Sequence, residues 1–411
     1  MGQYDRQAQS QRKHGPLSNS GATKAPAPPP VRRPEWRGSG STAKRASRRP
    51  VSSPANPVTV LQPQKLPLEL QQLILNLFRD NFLLTRDFES WKDTLREINE
   101  ALARRDLETA FGSDEFKEGY ALRWSPSRSL AYANILATIC ADLPDSNWLR
   151  KRSNTPSRVI CFGGGAAEVM ALAGLVRYLF PESAGRRLDP QAGGIESQAA
   201  SLVDLHLLDA PDWALVVSKL SAGIETPPTL SKYASASARA NNASFLPPDQ
   251  LKTTFHRAEV HNLKIEALQR VVGTEPVMVT FFMTLNDLYI ESIPKTTNMV
   301  RRLESTVSKN SILVVIDSVG ACCSPSGSID NTSSRDERPS YPMSWLLDRA
   351  LLGPSKNQAD DADDQGEEEK TQAKWEKVKE EKMMQHRLNP KLSYPGSLEN
   401  IKFQLHVFIR R

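Results

Sequence analysis

Cysteine is scarce in this chain: four residues, Cys140, Cys161, Cys322 and Cys323, in a length of 411. None forms a Cys-x-x-Cys pair or stands near a histidine at metal-ligand spacing, so a zinc ribbon, a dithiol redox site and a disulfide scaffold are excluded, and no metal is expected. Long apolar runs are also lacking. No stretch approaches the roughly 18 residues of a membrane span, and the N-terminus has no secretory apolar core, so a soluble intracellular protein without membrane association is expected. Met1-Gly2 is not a myristoylation signal, because Arg6 stands where Ser or Thr is required. Acidic residues are almost missing from the first fifty positions, where eleven lysines and arginines face only Asp5 and Glu35. That segment carries a formal +9 in a chain whose total is +6.

Large apolar residues are equally rare there. A segment rich in Pro, Ser, Gln and Ala cannot bury enough surface to offset the entropy of ordering, so residues 1–62 are read as a disordered basic tail. Its charge suits a sequence-independent phosphate-binding arm, or a nuclear or nucleolar address built on Lys44-Arg45 and Arg48-Arg49. Residues 63–150 read as an N-terminal helical lobe. Leu70, Leu73, Ile74, Leu77 and Phe78 recur at helical spacing after Pro67. Phe88, Trp91, Leu95, Ile98 and Leu102 form a second stripe with Asp87 as cap, and Ser125-Pro126 opens a third helix reaching about Asp142.

Residues 151–411 read as an α/β domain. Short apolar runs without helical period at 159–162, 202–208, 253–255, 277–283 and 312–316 predict strands buried on both faces. Helical stretches at 168–180, 213–220, 265–272 and 297–307 lie between them, the alternation of a mainly parallel sheet with helices on both faces. The alternating run 401–409 predicts a terminal strand, antiparallel to the rest. Segments 181–200, 221–248 and the acidic 357–370 read as insertions.

In an open α/β sheet ligands bind at the carboxyl ends of the strands. After the first strand comes Gly163-Gly164-Gly165, a glycine loop running into a helix whose N-terminus carries partial positive charge. After the second comes Asp209, placed to accept from both hydroxyls of a ribose, although an aspartate there also suits a helix cap. Glu259 follows the third, Thr284, Asn286 and Asp287 the fourth, and Asp317-Ser318 the fifth. A dinucleotide fingerprint would need glycine where Glu168 stands, so the Gly163-x-Gly165-x-Ala167 form points to a single-nucleoside cofactor, S-adenosyl-L-methionine.

Tyr120–Tyr132, the glycine loop, Leu208–Trp213, Thr284–Tyr289, Lys295–Thr297, Asp317-Ser318 and Tyr394–Asn400 together resemble a fungal family of S-adenosylmethionine-dependent methyltransferases, one that includes the large-subunit ribosomal RNA uridine-N3 methyltransferase. The resemblance implies a class I, Rossmann-like methyltransferase fold and a nucleolar ribosomal RNA or pre-ribosomal particle as partner. It also implies cofactor contacts from Gly163, Gly165, Asp209 and Glu259, and the strand-end residues Gly164 and Thr284 are expected to join them. Asn286 and Asp287 would face the transferable methyl, with Asp287 as general base for the N3 proton. Arg123, Trp124 and Arg128, an indole flanked by two guanidiniums, suit RNA, with Arg128 equally suited to the cofactor. A monomer is expected. The residues also leave open a catalytically silent methyltransferase-like RNA-binding scaffold, a protein or small-molecule acceptor, and a nicotinamide dehydrogenase.

Overall fold

A computed structural model describes residues 60–83, 87–143, 149, 155–181, 202–240, 242–319, 341–353 and 374–411. The basic tail up to residue 59, nearly all of the expected insertion at 181–200, the acidic segment 357–370 and the Cys322-Cys323 pair lie outside the described residues. All described residues belong to one compact unit, which spans Asn56–Arg411.

The helical N-terminal part comprises α1 (Leu68–Phe82), α2 (Lys92–Ala103), a short α3 (Leu107–Ala110), α4 (Asp114–Arg123) and α5 (Ser125–Asp142). Asp87 does not cap α2, whose cap position is held by Trp91 without a side-chain hydrogen bond; its Oδ1 accepts from the Ser90 amide at 2.9 Å, just ahead of the 3-10 turn that leads into α2. Ser125 differs from expectation. It is the first residue inside α5, and Trp124 holds the cap position without a side-chain hydrogen bond. The helix α4 is hard to see in the sequence, which lacks an apolar period there and carries Gly119. That glycine permits close packing: a Cβ there would lie 3.0 Å from Ile98 and 3.2 Å from Trp91.

Strands follow as β2 (Ser157–Phe162), β3 (Val203–Asp209), β4 (Leu251–Arg257), β5 (Met278–Phe282), β6 (Ile312–Asp317), β7 (Trp375–His386) and β8 (Ile401–Arg410), preceded by a two-residue β1 (Val60–Leu61). They form one eight-stranded sheet in the order β1-β7-β8-β6-β5-β2-β3-β4. Every neighbouring pair is parallel except those made by β8, which runs antiparallel to both β6 and β7. This is the expected Rossmann-like arrangement, a mainly parallel sheet with one antiparallel strand. Sequence order reverses at β2, flanked by β3 on one side and β5 on the other, and that reversal opens the crevice in which α/β sheets bind ligands.

The strand β8 lies inside the sheet, and β7 covers it. Charge conceals β7 in the sequence, since Glu376, Lys377, Lys379, Glu380, Glu381 and Lys382 dominate it. Such a composition suits a strand near a sheet edge, and two register shifts against β8 break its regularity. With both faces of β8 covered, Gln404 and His406 are buried; His406 Nε2 meets Gln404 Oε1 at 3.0 Å, and Gln404 Nε2 donates to the Ser318 carbonyl at 2.8 Å.

Helices α6 (Ala166–Leu179), α7 (Ala214–Glu225) and a short α8 (Ala236–Ala240) are followed by α9 (Ile265–Val272), α10 (Leu285–Glu291), α11 (Ile293–Thr306) and α12 (Met343–Leu351). The two sheet faces carry separate apolar cores. Val159, Cys161, Leu205 and Leu207 point to the side covered by α5, α6 and α7, whereas Ile160, Phe162, Phe281 and Val315 meet α9 to α12. Residues 63–150 share the first core: Ile74, Leu75 and Phe78 are fully buried in it, and a Cβ on Gly174 of α6 would lie 2.7 Å from Ile74. The segment after residue 220, expected as an insertion, begins as the last turn of α7 and returns to this core through Phe245 and Leu246.

Candidate active site

The carboxyl ends of β2, β3, β4 and β5 open into a cleft of about 1280 Å³. At the end of β2 the chain turns on Gly163, whose φ of +68° is a left-handed conformation that side chains rarely adopt. A Cβ there would collide with Thr284, which follows β5, so the turn lies tightly against the neighbouring strand end. Gly165 faces the ring of Trp213, which a Cβ would meet at 3.3 Å. Both glycines line the cleft. Gly164 does not; it faces downward, where a Cβ would press on Cys161 at 2.7 Å and Leu207 at 2.8 Å.

The loop is tied to the helix it starts. Glu168 Oε2 accepts from the Gly165 amide at 2.6 Å, closing the first turn of α6. Burial pushes the Glu168 carboxyl up to about 7, against the lowering pull of that amide and of Arg128.

Asp209 ends β3 with both oxygens engaged. Oδ1 accepts from the Ala210 amide and Oδ2 from the Trp213 indole Nε1, each at 2.9 Å. Burial raises this carboxyl to about 6; the Trp213 and Ala210 hydrogen bonds oppose the rise and Glu259 adds to it. Asp209 does not cap α7: Trp213 holds the cap position without a side-chain hydrogen bond, and Asp212 Oδ1 accepts from the Ala214 amide at 3.0 Å. Glu259, exposed after β4, lines the same part of the cleft.

Past β5 the chain passes through Met283, a non-glycine residue at φ +53° whose amide donates to the Ile316 carbonyl at 2.7 Å. Backbone strain of this kind persists where surrounding structure enforces it, commonly at functional sites. Thr284 lines the cleft and donates its hydroxyl to the Phe282 carbonyl at 3.0 Å. Asn286 is buried outside the cleft lining. Its Nδ2 donates to Asp317 Oδ1 and Ser318 Oγ, both at 2.8 Å, and its amide to Asp317 Oδ2 at 2.9 Å. Asp317, pushed up to about 6 by burial, thereby fixes the start of α10. Asp287 on the next position is exposed in the cleft, 3.5 Å from Arg105. The cleft walls raise its carboxyl above the usual range, with Arg105 and Arg128 opposing.

Arg128 also lines this cleft, whereas Arg123 and Trp124 line a second cavity of about 220 Å³ beside it. Arg123 pairs with Glu399 and donates to the Ser397 carbonyl at 3.0 Å. Trp124 stacks at a tilt on Tyr120, with ring centroids 5.2 Å apart. Arg128 and Met283 are common to both cavities.

These residues suit a nucleoside-containing cofactor: a backbone cradle that a Cβ would fill, carboxylate acceptors at one end, and a volume exceeding that of most small-molecule pockets. The family described as "Putative SAM-dependent methyltransferase" matches residues 78–409, most of the chain. This chain belongs to that family.

The methyltransferase is 26% identical over 356 residues to the 25S rRNA (uridine(2843)-N(3))-methyltransferase of Saccharomyces cerevisiae, a match covering 82% of this chain and 85% of the yeast protein. Among solved structures it is similar to an O-methyltransferase family protein from Burkholderia thailandensis, with 10% identity, a TM-score of 0.30, and coverage of 82% of this chain and 72% of that one. It is also similar to the N-methyltransferase NodS from Bradyrhizobium japonicum WM9, solved with S-adenosyl-L-homocysteine, with 10% identity, a TM-score of 0.28, and coverage of 66% and 86%. S-adenosyl-L-methionine is the cofactor of the family. Among the described residues no group of three or more His, Cys, Asp or Glu side chains could hold a metal ion, and no helix is long and apolar enough to cross a membrane.

Several cleft residues of this methyltransferase carry little or no local signal in the sequence. Arg105 follows α2 at φ +57°, and nothing local marks it. Phe111, Tyr120 and Trp213 gather with centroids 5.0 to 5.7 Å apart, although they come from three separated segments. Trp213 had one signal available, its place four residues after Asp209, a span that a turn into a helix can close.

Proposed function

We propose that this methyltransferase transfers a methyl group to N3 of a uridine in large-subunit ribosomal RNA, working in the nucleus and within it the nucleolus. The likeness to the yeast uridine-N3 methyltransferase along most of both chains carries this reading. The cleft supports it, because an exposed carboxylate stands beside the strained strand end where an acceptor would approach. A catalytically silent scaffold is not favoured, since the loop, the ribose-side acid and the acceptor-side acid are all present in one cavity.

When bound, the cofactor supplies an electrophilic methyl group carried on a sulfonium. Gly163 and Gly165 would let the loop backbone come close to it, and Asp209 and Glu259 would offer carboxylate acceptors to its hydroxyl and amine donors. Uracil N3 is an imide nitrogen whose lone pair becomes nucleophilic when its proton leaves. Asp287 takes that proton on a carboxylate oxygen and passes it to water, and its raised affinity for protons suits it to the task. Asn286 contributes by anchoring α10 on Asp317, which sets the position of Asp287. Arg123 and Trp124 present a cation and a stacking face to RNA at the second cavity. The helices of residues 63–150 form the outer wall of the cleft through Arg105, Tyr120 and Arg128.

Incubation of the purified protein with large-subunit ribosomal RNA and methyl-labelled cofactor, followed by digestion to nucleosides, should yield labelled 3-methyluridine. Label in another nucleoside would contradict the assignment of the acceptor atom. Asp287→Asn should lower the single-turnover rate on RNA by about 10²–10⁴-fold, the usual share of a general base. An unchanged rate would remove Asp287 from that role.

A further inference from the structure

We infer that Arg128 is the receptor for the α-carboxylate at the amino-acid end of the cofactor and makes no phosphate contact to RNA. The inference rests on placement of the cofactor in the cleft described above, and it assigns the end of that cleft opposite Asp209.

The sheet order sets up a polarity. β3 and β4, on one side of β2, bring Asp209 and Glu259 to the rim, and these carboxylates match the hydroxyl and amine donors of an adenosine. β5, on the other side of β2, brings Met283, and Arg128 of α5 stands against it where the two cavities meet. A cofactor with its adenosine at the acidic end therefore extends its amino-acid end toward Arg128.

Arg128 is also chemically ready for an anion. Its guanidinium hydrogen-bonds to the Tyr120 hydroxyl and lies over that ring, 5.5 Å from the centroid, and among the described residues it forms no ion pair. A single hydrogen bond leaves most of its five donors for a ligand, and the planar fork matches a carboxylate. The other arginines lining the cleft are placed differently. Arg105 is paired with Asp287, and Arg257 stands exposed as the last residue of β4, at the acidic end. Arg128 is partly buried in the wall, where a small anion inside the cleft can reach it and where Tyr120 holds its plane. Tyr120 is thus a positioning residue for Arg128.

Two ligands separate the ends of the cleft. S-adenosylhomocysteine carries the amino-acid carboxylate, whereas 5′-methylthioadenosine keeps the adenosine and thioether and lacks it. Titration calorimetry of the full chain with both ligands gives a readout independent of turnover. Arg128→Met should weaken S-adenosylhomocysteine by about ten- to a hundredfold, the loss of charged hydrogen bonds, and leave methylthioadenosine within about twofold. Arg128→Lys, which keeps the charge and loses the fork, should show a smaller loss confined to the same ligand; it carries the test should the methionine variant fail to fold. Equal losses for both ligands, or no loss for either, would overturn the inference, as would a variant that loses RNA binding and keeps S-adenosylhomocysteine affinity. Asp209→Ala, which should weaken both ligands, reports separately on whether the cleft holds the cofactor.

Discussion

Asp209 concentrates the chemistry of the cleft in one side chain. Its place at the end of a buried strand is legible in the sequence, because an apolar run followed by an acid marks a strand end in this class of sheet. Its hydrogen bond from Trp213 is not, since that contact depends on the direction in which α7 leaves the turn. The structure adds a consequence for pH. The folded carboxyl ionises near 6, and only the ionised form offers all its lone pairs to ribose hydroxyls. Affinity for S-adenosylhomocysteine should therefore hold above about pH 6 and weaken as pH falls through that value, by about tenfold per unit. Calorimetry from pH 5 to 8 checks this. Asp209→Asn should bind weakly with a flat profile, and a steep profile surviving in that variant would assign the titration to another group.

The glycine loop and the first turn of α6 act as one element, joined by the Glu168 carboxyl on the Gly165 amide. The sequence shows the loop and the helix but not the latch, because a glutamate on an apolar helix reads as a solvated residue until burial is known. Burial raises the Glu168 carboxyl from 4.5 to about 7, so the folded state holds its proton more tightly than the unfolded chain. Its contribution to stability is then fully present below about pH 4.5 and is lost as pH rises through about 7, with an upper bound of about 3 kcal/mol. Glu168→Gln keeps an acceptor for the amide and cannot ionise. Relative to the unsubstituted protein it should gain stability between pH 5 and pH 8, seen as a growing difference in Tm, and a pH-independent difference would contradict the assignment. Other elements were legible in proportion to their apolar character. β5 and β6 read directly from Met278–Phe282 and Ile312–Ile316, whereas β7 was hidden by lysine and glutamate, and α4 by Gly119 packed on Trp91 and Ile98. The helix α11 starts earlier than its apolar stripe, at Ile293, with the Ser292 hydroxyl capping it ahead of Pro294.

Across the whole molecule the cleft is assembled from segments far apart in sequence: Arg105 and Arg128 from the N-terminal helices, Gly163 and Gly165 after β2, Asp209 after β3, and Met283 and Asp287 after β5. Strand-end acids could be ordered from the sequence because the sheet repeats one rule. The N-terminal contribution could not, because nothing local says which helix closes over the crevice. The shared core of α1, α5 and α6 makes that closure part of the fold. The most direct test of the account is a crystal structure with S-adenosylhomocysteine bound. The account predicts ligand density over Gly163–Gly165, with the ribose on Asp209 and the carboxylate on Arg128. Density in another cavity, or in this one with the adenosine at the Arg128 end, would contradict it.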